Sequence, residues 1–349
     1  MSASMRDVAV RAKVSVKTVS NVVNGYTHVS SETRRRVMEA IDELGYRPNL
    51  SARKLRGGRS GLIALAVPDV RMPYFAELTS AITAAAELHG QTVLVDQTNG
   101  ARDRELLLLG GLRRHLIDGL IFSPLALGAD EIAAAAVQVP MVLLGERVGK
   151  GAFVDHVAID NVAAARHATE HLIKAGRRRI AAIGYRDSPN GGTAHLRATG
   201  FEQAMRAAGL PLSRSMRGRT AGFYRRHGAE TMRSLLDLDP PPDAVFCFSD
   251  LLAIGALRTL QECGLSVPDD IDVIGVDDIE DGQYSFPSLT TVSPDKEELA
   301  RLSVDLLMHR ITGDDSPPHD RTISHRIVFR ESSPVRPASR SAGSGTRPE

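Results

Sequence analysis

Residues 5–25 read MRDVAVRAKVSVKTVSNVVNG. Ser4 stands just before this run and Asp7 three residues after it, the spacing of a helix N-cap and its acidic partner. A first helix is therefore expected to about Ala12. Lys13 and Val14 make a tight turn, Ser15 caps a second helix, and Gly25 ends it. Within that helix Val19, Val22 and Val23 stand at i, i+3 and i+4 and form one apolar face. Lys17, Thr18, Ser20 and Asn21 are left on the other. A third helix is expected from Ser31 to Gly45, with Val37, Ile41 and Leu44 turned toward the first two. Two helices joined by a short turn, the second apolar behind and polar in front, make a helix-turn-helix. Such a helix fits the major groove of DNA, where short polar side chains reach base edges and phosphates.

Charge separates this expectation from its plain alternative, a small three-helix core without a ligand. Residues 1–60 hold twelve Lys and Arg against five Asp and Glu, a net of +7, whereas the whole chain is +1, which leaves −6 on the remainder. A basic head on a slightly acidic body is an electrostatic footprint of nucleic-acid binding.

The head also resembles a known family. Arg6-Asp7-Val8-Ala9, Val14-Ser15-Val16-Lys17-Thr18-Val19-Ser20, Asn24, His28-Val29-Ser30, Thr33-Arg34 and Gly45-Tyr46-Arg47-Pro48-Asn49 are similar to the head of the lactose-repressor (LacI/GalR) family. The resemblance runs to about residue 334. It departs at Asn21, where many members carry Arg, a difference that bears on which operator bases are read. The head residues expected to meet DNA are Ser15, Val16, Lys17, Thr18, Ser20, Asn21, Asn24, His28, Ser30 and Thr33.

Residues 47–60 form a hinge. Pro48 disfavours helix at Arg47 and can open a new one; residues 50–55 make about one and a half turns, too short to be stable alone in water. The resemblance implies that two such hinges order together in the minor groove. Ala52 and Arg53 would then lie against DNA, and Leu55 would wedge between central base pairs. The alternative is a flexible linker, which Arg53, Lys54, Arg56 and Arg59 suit equally.

With 349 residues and 42% hydrophobic content, the chain has room for two or three domains with sizeable cores. No N-terminal apolar signal core and no membrane-length apolar run is present, so a cytoplasmic protein is expected. Cys247 and Cys263 lie in or beside apolar runs, and burial as thiols is expected.

From Gly61 onward apolar strands alternate with helices. Leu62 to Val67 is a continuous apolar run, as in a strand covered on both faces. Helices are expected at 75–88, 102–116, 161–175, 195–208, 226–236, 251–263 and 296–311. Further strands are expected at 92–95, 119–122, 141–144, 157–159, 179–183, 244–248 and 273–276. Repeated βα units imply parallel sheets with right-handed crossovers, and two cycles imply two lobes. The resemblance implies lobes like those of periplasmic sugar-binding proteins, with the chain crossing between them near Asp160, near Thr290–Ser293 and near Asp320.

The expected fold class is α/β: a three-helix helix-turn-helix head plus hinge, joined to a two-lobed periplasmic-binding-protein-like core with parallel sheets. The expected divisions are 1–46 for the DNA-binding head, 47–60 for the hinge and 61–335 for the effector-binding and dimerisation core. Lobe 1 takes about 61–160 and 292–320, and lobe 2 about 161–291 and 321–335. Residues 336–349, rich in Pro, Ser, Gly and Arg, are expected to be a disordered tail. The tail lacks leucine heptads and offers no tetramerisation coil.

Open α/β sheets bind ligands beyond the C-terminal ends of their strands. That rule selects Asp69, Met72, Tyr74 and Phe75 after the first strand and Ser123 after the third. In the second lobe it selects Asp187, Ser249, Asp250, Asp277 and Asp278. A cleft with a few charged groups for hydroxyls and an aromatic for a sugar face suits a polar small molecule. The resemblance then implies roles. Arg197, in the run His195 to Phe201, matches an effector-binding arginine, and Asp277 an effector-binding aspartate. Ser249-Asp250 stands where the family often has Asn-Asp, and Phe223 matches an aromatic stacking position. Gly145 falls where some sugar-responsive members place an acid, and Ser293-Pro294 lacks a polar pair often seen there. For Asp250 and Asp277 the alternative is capping and lobe-closing hydrogen bonds.

Three patterns have plainer explanations. His167 and His171 have metal-ligand spacing but no third ligand, and a solvated helix face is expected. Arg177-Arg178-Arg179 reads as a solvated loop, and Asp239 to Asp243 as a lead-in to a strand. No G-x-G-x-x-G, phosphate loop or nucleophile elbow occurs, so no catalytic residue, cofactor or metal is expected. The expectation is a dimeric transcription regulator, a repressor, that binds a pseudo-palindromic double-stranded operator. Its effector is a carbohydrate first, a purine-like compound second, and it has no membrane partner. The alternatives are a cytoplasmic small-molecule-binding protein, or an α/β sugar-modifying enzyme, with an added basic head.

Overall fold

A computed structural model describes residues 3–23, 26, 28–46, 59–110, 116–145, 153–186 and 192–336. Two compact units emerge, Met1–Leu62 and Ile63–Glu349.

Among its described residues the first unit holds three helices, α1 (Met5–Ala12), α2 (Val16–Val23) and α3 (Ser31–Leu44). Their ends are fixed by side chains. The Ser4 N–H donates to Asp7 Oδ2 at 2.8 Å and the Asp7 N–H to Ser4 Oγ at 3.3 Å, a reciprocal capping box. Ser15 Oγ accepts from the Thr18 N–H at 3.0 Å, and Ser30 Oγ from the Thr33 N–H at 3.3 Å. Val8, Ala9, Ala12, Val19, Val22, Val37, Ala40 and Tyr46 make the core. Leu44 was expected in that core but is exposed. The reason lies at the helix end. Gly45 turns left-handed (φ +58°), and the chain doubles back so that the Tyr46 N–H donates to the Ile41 carbonyl at 3.0 Å. Tyr46 is thereby buried at the foot of the head, where the periodicity had put Leu44.

The second unit is built on two six-stranded sheets. The first contains β1 (Leu62–Val67), β2 (Thr92–Gln97), β3 (Gly119–Phe122), β4 (Met141–Leu144), β5 (Asp155–Ile159) and β11 (Asp320–Ile323), in the order β2-β1-β3-β4-β5-β11. The second contains β6 (Ile180–Tyr185), β7 (Arg217–Arg219), β8 (Ala244–Cys247), β9 (Asp272–Val276), β10 (Thr290–Pro294) and β12 (His325–Val328), in the order β7-β6-β8-β9-β10-β12. β1, β3 and β4 are unbroken apolar runs buried along almost their whole length, which is what parallel strands covered on both faces require. The helices around the first sheet are α4 (Pro73–Leu88), α5 (Arg102–Gly110), α6 (Ala129–Ala136) and, late in the chain, α12 (Lys296–Ile311). Those of the second lobe are α7 (Asn161–Lys174), α8 (Gly192–Ala207), α9 (Arg225–Leu236), α10 (Asp250–Glu262) and the single turn α11 (Glu280–Gln283). The described part of the helix expected over 102–116 stops at Gly110, and residues 111–115 lie outside the described set. The short elements α6, β7 and α11 were not anticipated, nor were the strands β10, β11 and β12 that lie at the later crossovers.

Among the described residues the chain passes between lobes three times, at Asp160, at Asp295 and at Ser324. The last two fall later than the expected lobe limits at 291/292 and 320/321. β10 pairs with β9 through Val292 and with β12 through Pro294, so all of it belongs to lobe 2. β11 pairs with β5 through Ile323, so it belongs to lobe 1. Entering from lobe 1 in the reverse direction, β12 is antiparallel to β10, an exception to the parallel pattern.

Several side chains are more firmly held than their local pattern foretold. His167 and His171 do not form a solvated face. His167 Nδ1 and His325 Nε2 share a hydrogen bond at 3.0 Å, and His171 Nε2 lies 2.9 Å from Ser333 Oγ. Arg177 is not in a solvated loop either; its guanidinium donates to the buried Asp272 carboxylate at 2.9 Å. Asp243 accepts from the N–H groups of Arg178 and Arg179, at 3.2 and 2.9 Å, which makes the proline-rich lead-in a brace. Arg336, expected as the first tail residue, donates to Asp272 at 2.8 Å. Cys247 is buried, and burial pushes its thiol well up; Cys263, expected to be buried, is exposed at the end of α10.

Glycine brings the lobe-2 helices into backbone contact. A Cβ on Gly255 of α10 would overlap the Arg225 carbonyl oxygen, and one on Gly228 of α9 the Leu252 carbonyl oxygen. Backbone cannot step aside as a flexible side chain can. Gly255→Ala is expected to cost about 3 kcal/mol in denaturant unfolding. Gly110→Ala, which meets nothing within 4 Å, should change stability by less than about 1 kcal/mol. Equal midpoints for the two variants would refute the close-packing account.

Candidate functional site

In each sheet a central strand has chain neighbours leaving on both sides, and the order reverses there: between β1 and β3 in the first, between β6 and β8 in the second. Such switch points leave a crevice at the strand C-termini. Asp69 and Ser123 follow β1 and β3, and Ser249 follows β8. The two lobes meet here. Tyr224 Oη, from the turn before α9, donates to Asp69 Oδ2 at 2.6 Å, and the Glu280 N–H of α11 donates to Glu77 Oε1 of α4 at 3.0 Å.

On the lobe-1 side, Arg71 grips Asp69 through both oxygens, Nε to Oδ1 at 3.0 Å and Nη2 to Oδ2 at 2.8 Å. The Arg71 hydrogen bonds hold the Asp69 carboxyl down at about 2 against its partial burial, with help from Tyr224. Tyr74 and Phe75 open α4 as an edge-to-face pair with centroids 5.2 Å apart. Ser123 is buried, and its N–H donates to the Ala66 carbonyl at 3.0 Å.

On the lobe-2 side, Arg197 of α8 is buried and held by three partners. Its Nε donates to Asn161 Oδ1 at 2.9 Å, its Nη1 to the Phe248 carbonyl, and its Nη2 lies 3.6 Å from Asp277 Oδ1. Burial pushes the Asp277 carboxyl up, and the charges of Arg197 and Lys296 work against that rise. Ser249 Oγ caps α10 by accepting from the Leu252 N–H at 3.3 Å. Asp250 turns inward. Its Oδ1 accepts from Thr291 Oγ1 at 2.6 Å and its Oδ2 from the Ile279 N–H at 3.0 Å. Complete burial and the neighbouring Asp277 charge keep this carboxyl well above its ordinary value. Its geometry is that of a bracket for the 277–279 turn, the hydrogen-bonding alternative considered from sequence. Phe223 is half-buried on the lobe-2 core, with the Arg186 guanidinium 5.9 Å from its ring centroid.

The structure thus joins Arg197 with Asp277 directly, places Asp250 behind them, and ties Asp69 to the opposite lobe. Asp187 lies outside the described residues. Sequence reasoning missed Arg71, Glu77, Asn161, Tyr224, Thr291 and Lys296. Only Asn161 and Tyr224 carried a local signal: one follows the first crossover directly, and the other adjoins Phe223.

On the head, Lys17 and His28 are exposed, and Thr18, Ser20, Asn21 and Thr33 are partly so. His28 packs edge-on to Tyr26 with centroids 6.2 Å apart. Ser15 and Ser30 use their hydroxyls as caps, and Val16 packs against the head core. Asn24, Ala52, Arg53 and Leu55 lie outside the described residues. Among the described residues no helix is long and apolar enough to cross a membrane, and no group of three or more metal-ligating side chains occurs.

Comparison with known proteins places these features together. Residues 4–49 match the model for bacterial regulatory proteins of the lacI family, and residues 169–333 match a periplasmic binding protein-like domain. The chain is 32% identical over 337 residues to the HTH-type transcriptional repressor CytR of Escherichia coli, covering 96% of this chain and 98% of that one. It is similar to the lac repressor dimer bound to operator and the anti-inducer ONPF, with 28% identity, 96% and 100% coverage and a TM-score of 0.82. It is also similar to the transcriptional regulator CelR in complex with cellobiose, with 31% identity, 95% and 99% coverage and a TM-score of 0.70.

Proposed function

The chain belongs to the lacI family of DNA-binding transcriptional regulators, and from that premise we propose a homodimeric cytoplasmic repressor released from or driven to its operator by a small molecule bound between the lobes. The observation that carries the effector half is the buried Arg197–Asp277 pair at a strand-end crevice. A guanidinium and a carboxylate side by side present donors and an acceptor to vicinal hydroxyls, which favours a carbohydrate; a nucleoside, with its ribose, is the second class. In this reading Tyr74, Phe75, Ser123, Arg197, Phe223, Ser249 and Asp277 line the site, and Asp69 and Asp250 hold its walls.

For the DNA half, Lys17, Thr18, Ser20, Asn21, Asn24, His28 and Thr33 face the major groove or its phosphates. Ser15 and Val16 set the start of the recognition helix, and Ser30 caps α3, which packs against it. Ala52, Arg53 and Leu55 act in the minor groove. Two half-sites need two heads, hence a dimer. A surface that supports one runs along the edge strand β2 and the helix after it, where Leu94, Val95, Leu106 and Leu107 are exposed; Tyr284 and Phe286 are exposed in lobe 2. Leu107→Asp is expected to turn the dimer into a monomer in sedimentation equilibrium and to weaken operator binding about a hundredfold. A dimer of unchanged affinity would move the interface elsewhere.

The test of the whole reading is fluorescence anisotropy on a labelled palindromic duplex selected from a random half-site pool, with excess non-specific DNA. D-ribose, cellobiose, other mono- and disaccharides, adenosine and adenine are added in turn. A salt-sensitive complex shifted by one compound is the expected result. Failure of every palindrome to outcompete bulk DNA would sink the repressor reading.

A further inference from the structure

We infer that Lys296, with Glu77 beside it, is the positioning residue that ties the orientation of Asp277 to the arrangement of the two lobes; this rests on the regulator reading above. Lys296 is the first residue of α12, a helix that packs in lobe 1 although the strand before it lies in lobe 2. Its ammonium donates to the Asp277 carbonyl at 2.9 Å, to the Asp278 carbonyl at 2.8 Å and to the Glu77 carboxylate. An ammonium has three N–H groups, and all three are used. The other Glu77 oxygen takes the Glu280 N–H at 3.0 Å. Two lobe-1 helices, α4 and α12, therefore hold three backbone groups of one lobe-2 turn.

That turn is unusual. Asp277 has φ +119° and Asp278 φ +48°, both on the left-handed side that side chains other than glycine disfavour. Such residues persist where the surroundings over-determine them. Here the surroundings come from both lobes. Lobe 2 supplies Asp250 Oδ2 to the Ile279 N–H, and Arg330 Nη2 donates to Asp278 Oδ1 at 2.7 Å. Lobe 1 supplies Lys296 and Glu77. Asp277 thus has its carboxylate facing Arg197 in the crevice and its carbonyl in the grip of the opposite lobe. A ligand that pulls the carboxylate beyond the reach of its two side-chain torsions turns the 277–278 peptide planes, and Lys296, bound to both carbonyls, registers that rotation. An ordinary surface ion pair would not do this. The Lys296 side chain is only 16% exposed, and two of its three acceptors are backbone.

Hydrogen–deuterium exchange on the full chain tests the grip. Lys296→Met is expected to raise amide exchange in residues 278–283 at least tenfold while β6 and β8 exchange as before. Glu77→Gln should loosen Glu280 in the same way, and Lys296→Arg should restore protection. Unchanged exchange in 278–283 overturns the inference. A second arm uses whichever of D-ribose, cellobiose or adenosine shifts operator binding by the unmodified protein. Lys296→Met should still bind it in calorimetry while the shift in operator affinity falls at least fivefold; an intact shift also overturns the inference. If none of the three acts on the unmodified protein, that result counts against the effector reading, and the exchange arm alone decides for Lys296.

Discussion

Arg197→Ala is expected to abolish the effector response and leave operator binding in place. The side chain meets three buried partners at once: it donates to Asn161 Oδ1 and the Phe248 carbonyl and forms an ion pair, at 3.6 Å, with the Asp277 carboxylate. Truncation strands all three. An unpaired buried acceptor costs about 1–3 kcal/mol, so lobe 2 should lose about 2–4 kcal/mol of stability as neighbouring groups relax. The larger effect falls on binding. Without the guanidinium, Asp277 loses the charge that opposes its burial and passes further toward the protonated form. The site then offers a carboxylic acid where it had an ion pair, and effector affinity should fall by more than a hundredfold, about 3 kcal/mol. Arg197→Lys should not rescue it, because one ammonium cannot span a planar fork of three directions. The head folds on its own core, so DNA binding in low salt should remain within about threefold. Isothermal calorimetry and anisotropy decide the matter. Normal effector affinity in Arg197→Ala would remove this residue from the site and with it the central part of the proposed cleft.

What the chain declared in advance, and what it concealed, follow from the range of the interactions. Ser4 with Asp7, Ser15 with Thr18 and Gly45 act over three or four residues, so the head was legible from spacing alone. The strands 62–67, 119–122 and 141–144 matched to the residue, because a fully buried parallel strand is an uninterrupted apolar run between polar neighbours. Leu44 misled because a periodic count continues to the helix end, whereas the Gly45 turn brings Tyr46 back into its place. The crossover at Ser324 was set too early for a related reason. β11 is mostly exposed, so its place in the first sheet is fixed by backbone pairing to β5 rather than by its side chains. At the site, Arg197 and Asp277 came from a family resemblance and a strand-end rule, while Glu77 and Lys296, separated by 219 positions, had no local signature. The pairing of His167 with His325 was hidden in the same way, since His171 offered the more conspicuous partner on the same helix.

The lobe-to-lobe contacts also bound the size of the regulatory effect. Repressors of this kind work if DNA and effector prefer different lobe arrangements, and the coupling is reciprocal, typically about 1–3 kcal/mol. The Asp69–Tyr224 hydrogen bond and the grip of Glu77 and Lys296 on the 277–280 turn are few and discrete. A handful of such bonds, each worth about 1 kcal/mol net, matches a coupling of that order, and neither lobe has to be remodelled to change it.

Asp155→Ala is expected to produce the largest loss of stability of any single charge removal in lobe 1. Asp155 opens β5 and is buried, and Arg310 of α12 clamps it from Nε to Oδ2 at 2.6 Å and from Nη2 to Oδ1 at 3.0 Å. The His319 N–H adds a third bond at 2.7 Å. The same guanidinium donates to the Asp314 and Ser316 carbonyls at 2.8 and 2.6 Å, so the carboxylate anchors the whole connection between α12 and β11. Removing one partner of a buried pair leaves the other charge uncompensated and costs about 3–5 kcal/mol. At about 2–4 °C per kcal/mol for a unit of this size, the midpoint should fall by about 10 °C. Burial pushes the Asp155 carboxyl up, but the Arg310 hydrogen bonds, the His319 N–H and the Arg310 charge outweigh it and leave it below the ordinary carboxylate value. The sign of the pH effect follows. A carboxyl depressed in the folded state contributes stability that is present above its unfolded value, about 4, and that contribution is lost as pH falls through the folded value. The parent protein should therefore lose stability from about pH 5 downward more steeply than Asp155→Ala, and the two curves should converge in acid. Thermal midpoints measured from pH 7 to pH 3 show the difference directly. Curves that stay parallel over that range would mean the Asp155–Arg310 clamp contributes packing but no charge-dependent stability.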